Sequence, residues 1–312
     1  PPRRCSGHCS YFATMTLKDL TTKLNAYERL IRLDKPVGFM LLMWPTLWGL
    51  WFASLGSPDI RIVIIFVVGT ILMRSAGCAI NDWADRKFDG AVKRTAMRPV
   101  ASGEISGREA LWVGAVCALL AACLLIPLHR NAQLWSLPAL AIAAIYPFTK
   151  RWFSIPQAIL GLAFSMGIPM AFAAVRNDDW ELAAILVAAN FFWVLAFDTE
   201  YAMVDRDDDV RIGIKTSAIF FGRFDVTAVA VCYAAFLGIM AWVGTLNASG
   251  AFYYAGVAVA AGLAVYHVWL IRDRERDACF KAFRANNLLG LALFTGVALD
   301  LAVRTSEWPR WY

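Results

Sequence analysis

Residues 60–90 read IRIVIIFVVGTILMRSAGCAINDWADRKFDG. The first 21 carry only two charges, Arg61 and Arg74, and three aspartates, Asp82, Asp85 and Asp89, crowd the end. An apolar run of about 20 residues crosses the hydrocarbon core of a bilayer as a helix. A carboxylate cluster at its mouth either solvates the helix end or holds something. The rest of the chain has to decide which.

Of the 312 residues, 59% are hydrophobic and 17% charged, whereas a soluble domain carries about a quarter charged. Apolar runs recur at 36–56, 60–83, 109–128, 132–149, 155–175, 181–204, 225–246, 250–271 and 286–304. Hydrocarbon offers no partners to free backbone groups, so helices are the expected spanning form, and the alternation of a barrel is absent. The fold class is therefore all-α, an integral membrane protein with nine transmembrane helices. The expected organisation is a tail over 1–24, a single membrane domain over 25–304 and a C-terminal tail over 305–312. The tail is read as disordered or as an over-long start, with Met15 opening the functional chain. LTTKLNAYERLIRLDK, residues 20–35, reads as an amphipathic helix lying on the membrane surface.

Orientation follows from the basic residues. With a cytoplasmic N-terminus, the tail and the connections after even-numbered spans hold most of the 30 Lys and Arg. The other side holds Arg61, Arg130, Arg176, Arg304 and Arg310. That bias sets the topology by the positive-inside rule. The net charge of +6 thus reports membrane orientation and not a nucleic-acid partner. The long polar connections, 84–108, 205–224 and 272–285, all fall on the cytoplasmic side, where chemistry is expected. Cys78, Cys117, Cys123 and Cys232 lie in spans, where free thiols act as small apolar groups.

Two acidic helix ends share that face. Helical residues four apart are neighbours, which groups Asp85 with Asp89 and, counting back, with Asn81 and Arg74. The second cluster repeats the pattern, with Asp205 and Asp209 sharing a face, Tyr201 and Asp198 behind them, and Asp208 able to join. So many carboxylates repel one another unless cations are present. Mg2+ is the natural cation, because it binds through a few carboxylates plus substrate phosphates. Lys93, Arg94 and Arg98 follow the first cluster, Lys150 and Arg151 end the fourth span, and Lys215 follows the second cluster. Aspartates, metal and Lys/Arg together are a kit for holding a diphosphate and for stabilising the charge that develops as it leaves. Arg74 lies about two helical turns inside its span, where an arginine is costly unless it faces a cavity and a partner. It reads as a receptor for an anionic substrate group, with Asn81 as co-donor; the bland alternative is a structural ion pair.

These residues resemble the UbiA superfamily of intramembrane aromatic prenyltransferases over residues 25–304. The resemblance rests on N-x-x-x-D-x-x-x-D at Asn81, Asp85 and Asp89 and D-x-x-x-D at Asp205 and Asp209. Within the superfamily, NDWADRKFDGAVKRTAMRPVASGEIS and DTEYAMVDRDDDVRIGIKTSAIFFG look like the bacterial 4-hydroxybenzoate polyprenyltransferases of ubiquinone synthesis. Met97 is a departure, since relatives usually carry a polar residue there. The resemblance implies nine helices around a central cavity in the bacterial inner membrane, with the active site on the cytoplasmic side. It implies that the aspartates hold Mg2+ on a polyprenyl diphosphate, and that Lys150, Arg151 and the loop arginines assist. Arg74 and Asn81 match positions that grip the carboxylate of 4-hydroxybenzoate. No obligate protein partner is evident. Two other readings stand beside this one: a sister prenyltransferase with another aromatic acceptor, and a cation transporter, which would need acidic groups near mid-membrane.

Overall fold

The computed structural model describes residues 17–176 and 178–307. Among them every regular element is helical. A surface helix α1 (Leu17–Leu30) precedes α2 (Val37–Ala53), α3 (Ile60–Asp85), α4 (Gly107–Leu124) and α5 (Arg130–Thr149). Then come α6 (Pro156–Ser165), α7 (Gly167–Val175), α8 (Trp180–Ile212), α9 (Ser217–Phe221), α10 (Asp225–Leu246), α11 (Ala251–Ile271) and α12 (Arg276–Glu307). Among the described residues, eight helical segments are long and apolar enough to cross a membrane, α6–α7 and α9–α10 each counting as one. The expected first span forms α2, apolar but only 17 residues long, at the short end of what a bilayer needs.

Two tail boundaries move. Helix α1 begins at Leu17, so residues 17–24 are helical and not part of a disordered tail, and α12 runs on to Glu307. The expectation about Met15 lies outside the described residues.

Local chemistry explains the helix ends. Asp59 caps α3 by accepting from the Arg61 backbone N–H at 2.8 Å. Ser106 and Glu109 form a reciprocal capping box at the start of α4. Helix α8 stops at Gly213, whose φ of +73° is the left-handed conformation that glycine adopts without a Cβ penalty.

The core gathers around α8. Trp193 of α8 packs on Trp48 of α2 at 5.2 Å between ring centroids and stacks on Phe236 of α10 at 5.6 Å. Helices α11 and α12 cross so closely that a Cβ on Gly256 would sit 2.9 Å from the Gly296 Cα, the small-residue contact typical of membrane helices. On the outside, Ile64, Leu119, Val231 and Val265 are exposed, as lipid-facing positions should be. Helix α1, with the turn that follows it, is tied down by ion pairs, Lys23 to Glu109 at 2.8 Å and Arg32 to Asp82 at 2.9 Å. Its Leu20 and Leu24 stay exposed, consistent with an interfacial helix.

Candidate active site at the acidic helix ends

The two acidic clusters, far apart in sequence, line one polar chamber of about 150 Å³. Helix α8 contributes Asp198, Tyr201, Asp205 and Asp209, spaced three, four and four, so one face of an unbroken helix carries all four. Helix α3 contributes Asn81 and Asp85. The expected helical register stops there. Asp89 lies beyond the end of α3 in a short 3-10 turn, Asp89–Ala91. That turn, held by Phe88 N–H donating to the Asp85 carbonyl at 2.7 Å, still carries Asp89 into the chamber.

Each engaged carboxylate meets a cation from another segment. Lys150 pairs with Asp85, Arg98 donates to Asp89 at 3.0 and 3.2 Å, and the Arg94 fork grips Asp205, its Nε at 3.0 and 3.1 Å. Arg94 also lies 4.4 Å from the Tyr201 ring centroid. Asp85, Asp89 and Asp205 are 3–7% exposed, so their charges are unfavourable without these partners; Asp209, 8% exposed, has no ion pair among the described residues. Burial, with Asp85 and Asp82 nearby, pushes the Asp89 carboxyl up against the pull of Arg98. A backbone bond from Lys215 N–H to the Lys150 carbonyl, 3.0 Å, joins the loop after α8 to the end of α5 and brings Lys215 to the rim.

Not every expected residue arrives. Asp208 turns away from the chamber to Arg276 of α12, 3.2 Å away; one residue from Asp209 is about 100° around a helix. Lys93 is exposed and lines neither cavity. Arg151 donates to the Ala84 carbonyl at 2.8 Å and lies over the Phe88 and Phe148 rings, so it braces the end of α3. Asp82, off the helical line of the motif, is bound by Arg32 and by Arg98 at 3.3 Å and is structural. Tyr146 and Gln157 line the chamber unforeseen. Nothing in their sequence context marks them, since both sit in apolar segments.

The donor set suits a hard divalent cation. Five carboxylates, Asp85, Asp89, Asp198, Asp205 and Asp209, face one chamber, and Asp85 Oδ1 is buried with no hydrogen-bond partner. Among the described residues no three His, Cys, Asp or Glu side chains form a ready-made metal cluster. Mg2+ uses one or two carboxylates, waters and substrate phosphates and not an all-protein cage.

Behind the chamber lies a cavity of about 710 Å³. Asn81, Arg94, Arg98, Tyr146, Asp198 and Tyr201 line both spaces. The larger one runs along α3 from Arg74 to Ile65 and Phe66, walled by Ala121 of α4 and Leu140 of α5. Arg74 lines it without an ion pair among the described residues. Its Nε is buried and unpartnered, its guanidinium is 5.8 Å from the Phe164 ring centroid, and a Cβ on Gly38 would come within 2.9 Å of its Nη2. The structural ion pair considered for Arg74 is therefore not formed.

Fold and site define a class: a polytopic helical membrane protein in which a charged chamber heads a long apolar cavity. The chain belongs to the UbiA prenyltransferase family, whose family model matches residues 42–291. It is 58% identical over 289 residues to the 4-hydroxybenzoate octaprenyltransferase of Azoarcus sp. (strain BH72), covering 93% of this chain and 100% of that protein. The 4-hydroxybenzoate octaprenyltransferase of Cupriavidus necator is 56% identical over 90% of this chain and 99% of its own. A UbiA homologue from Aeropyrum pernix K1, solved in its apo form, superposes with a TM-score of 0.73 at 24% identity, covering 83% of this chain and 98% of that one. The Archaeoglobus fulgidus homologue solved with GPP and Mg2+ gives 0.65 at 19% identity, over 88% and 99% of the two chains.

Proposed function

We propose that this chain transfers a polyprenyl group from its diphosphate to the ring carbon ortho to the hydroxyl of 4-hydroxybenzoate, releasing diphosphate, in ubiquinone synthesis. The site faces the cytoplasm from the bacterial inner membrane, as the basic loops favour. One observation carries the reading: the charged chamber and the apolar cavity share a wall, so an anionic head and a long apolar tail fit side by side. The 54–58% identity to relatives bearing the octaprenyltransferase name supports it.

The diphosphate belongs in the chamber, where Lys150, Arg94 and Arg98 exchange carboxylate partners for phosphate oxygens, and Lys215 stands at the rim. Mg2+ bound by Asp85, Asp89, Asp205 and Asp209 would neutralise the diphosphate and favour its departure. The fixed cations stabilise the same developing charge without reorganising. The prenyl tail lies along α3 between α2, α4 and α5. Arg74 and Asn81 hold the acceptor carboxylate and turn its ring toward the allylic carbon, beside Asp198 and Tyr201. Loss of the diphosphate leaves an allylic cation, the ring carbon attacks it, and release of the ring proton restores aromaticity. The apolar walls keep out water that would quench the cation. The acids here crowd one end of the helices, which counts against a transporter reading.

The test supplies purified protein in proteoliposomes with a polyprenyl diphosphate and 4-hydroxybenzoate, with and without Mg2+. Prenylated 4-hydroxybenzoate formed only with the metal is the expected result. Absence of product with Mg2+ present would refute the assignment.

A further inference from the structure

A second buried polar group lies on the opposite side of α8 and lines neither cavity. Glu200 of α8, Tyr233 of α10, His267 of α11 and Asn286 of α12 meet there, with Trp193 of α8, all 0–2% exposed. No Lys or Arg pairs with Glu200 among the described residues. The thiols of Cys232 and Cys279 are the other titratable groups nearby. A bare carboxylate in such a place is costly enough that neutralisation is the usual outcome.

The hydrogen count decides the point. The Tyr233 phenolic oxygen lies 2.9 Å from Glu200 Oε1, 2.9 Å from Asn286 Oδ1 and 3.1 Å from His267 Nδ1. Trp193 Nε1 donates to Asn286 Oδ1 at 2.8 Å, and Asn286 Nδ2 donates to Glu200 Oε2 at 2.9 Å and to the Ala282 carbonyl at 3.1 Å. These amide bonds fix the orientation of Asn286, because flipping it would face an N–H₂ to the indole N–H and an oxygen to two acceptors. Asn286 Oδ1 has no hydrogen, so the phenol must donate to it. The phenol has only one hydrogen. His267 therefore supplies its Nδ1–H to the phenolic oxygen, and the remaining contact needs a hydrogen on Glu200 Oε1. An ionised Glu200 would leave two acceptor oxygens facing each other at 2.9 Å. With the proton in place, only His267 Nε2 lacks a partner.

We propose that Glu200 is a positioning residue that holds a proton in the folded protein, a neutral carboxyl bolting α8 to α10 and α12. Asp209 lies nine residues on, about 180° around the helix. The bolt thus sets the rotation at which α8 presents Asp198, Tyr201, Asp205 and Asp209, and this consequence rests on the site reading above. Neutrality also keeps Glu200 from adding a further charge to those of Asp85, Asp89, Asp205 and Asp209.

The experiment compares wild type, Glu200→Gln, Glu200→Ala and Glu200→Asp, each the full chain in lipid nanodiscs. Infrared difference spectra of wild type against Glu200→Gln should lose a carboxylic-acid C=O band, distinct from the carboxylate bands. Affinity for inorganic diphosphate with Mg2+ should be retained in Glu200→Gln, whose amide can donate to Tyr233 and accept from Asn286. It should weaken about tenfold in Glu200→Ala, with prenyl transfer falling by up to about a hundredfold in kcat, as for a misplaced catalytic set. If Glu200→Ala fails to fold, Glu200→Asp takes its place, since the shorter side chain cannot span both partners. The proposal is overturned if no carboxylic-acid band disappears, if folded Glu200→Gln binds as poorly as the alanine variant, or if the alanine variant binds like wild type. Wild type that binds diphosphate but makes no prenylated 4-hydroxybenzoate sinks the proposed reaction instead, and leaves the infrared result to judge Glu200.

Discussion

Arg74 shows what a single side chain contributes. Its buried, unpartnered Nε is a donor waiting for an acceptor, and a lost charge-assisted bond is worth about 1.5–3 kcal/mol. Arg74→Ala should therefore raise the KM for 4-hydroxybenzoate about tenfold or more, with a smaller change in kcat; steady-state kinetics with varied acceptor reads this directly, and an unchanged KM removes Arg74 from the site. Asp85→Ala and Asp205→Ala should abolish turnover even at saturating acceptor. Asp208→Asn is the informative contrast. Its carboxylate faces Arg276 and not the chamber, so activity should stay within about twofold. At this scale the chamber placement of Asn81, Asp85, Asp205 and Asp209 was legible in the sequence. It was not legible for Asp208 against Asp209, because adjacent residues of a helix point about 100° apart and only packing selects the inward one.

Elements carry the next level of constraint. The motif spacing around Asp89 looked helical, yet α3 ends at Asp85 and a 3-10 turn delivers Asp89. Helix α8, by contrast, runs unbroken past Asp209 to its glycine cap, so its i+4 reading held. Close crossing of α11 and α12 depends on Gly256 and Gly296. Gly256→Val should lower thermal stability by about 1–3 kcal/mol, the usual penalty for overpacking, seen as a reduced Tm of the detergent-solubilised protein. A Tm equal to wild type would mean the crossing is looser than the geometry implies. Apolar stretches gave these helices away because each buries itself in lipid independently of its neighbours. The short α2 and the break between α6 and α7 were less visible, since hydrophobicity does not register where one helix gives way to the next.

At the scale of the whole molecule the two cavities act together. A side chain built at Gly69 meets nothing within 4 Å, and Gly69 lines the large cavity. Gly69→Phe should thus fill the tail space, cutting turnover of long polyprenyl diphosphates while sparing geranyl diphosphate; equal loss with both substrates would place the tail elsewhere. Chelation of divalent metal should stop product formation, and added Mg2+ should restore it.

The amino-acid sequence alone determined that the chain is a helical membrane protein, where its spans fall and which end of them carries the charge. Those are properties of local composition, read by lipid one segment at a time. Only the tertiary structure decided that the ends of α3 and α8 share a chamber, that Lys150, Arg94 and Arg98 are the cations facing its aspartates, and that Glu200 points the other way. The physical reason is that a side chain's partner depends on the rotation of its helix, and neighbouring helices set that rotation.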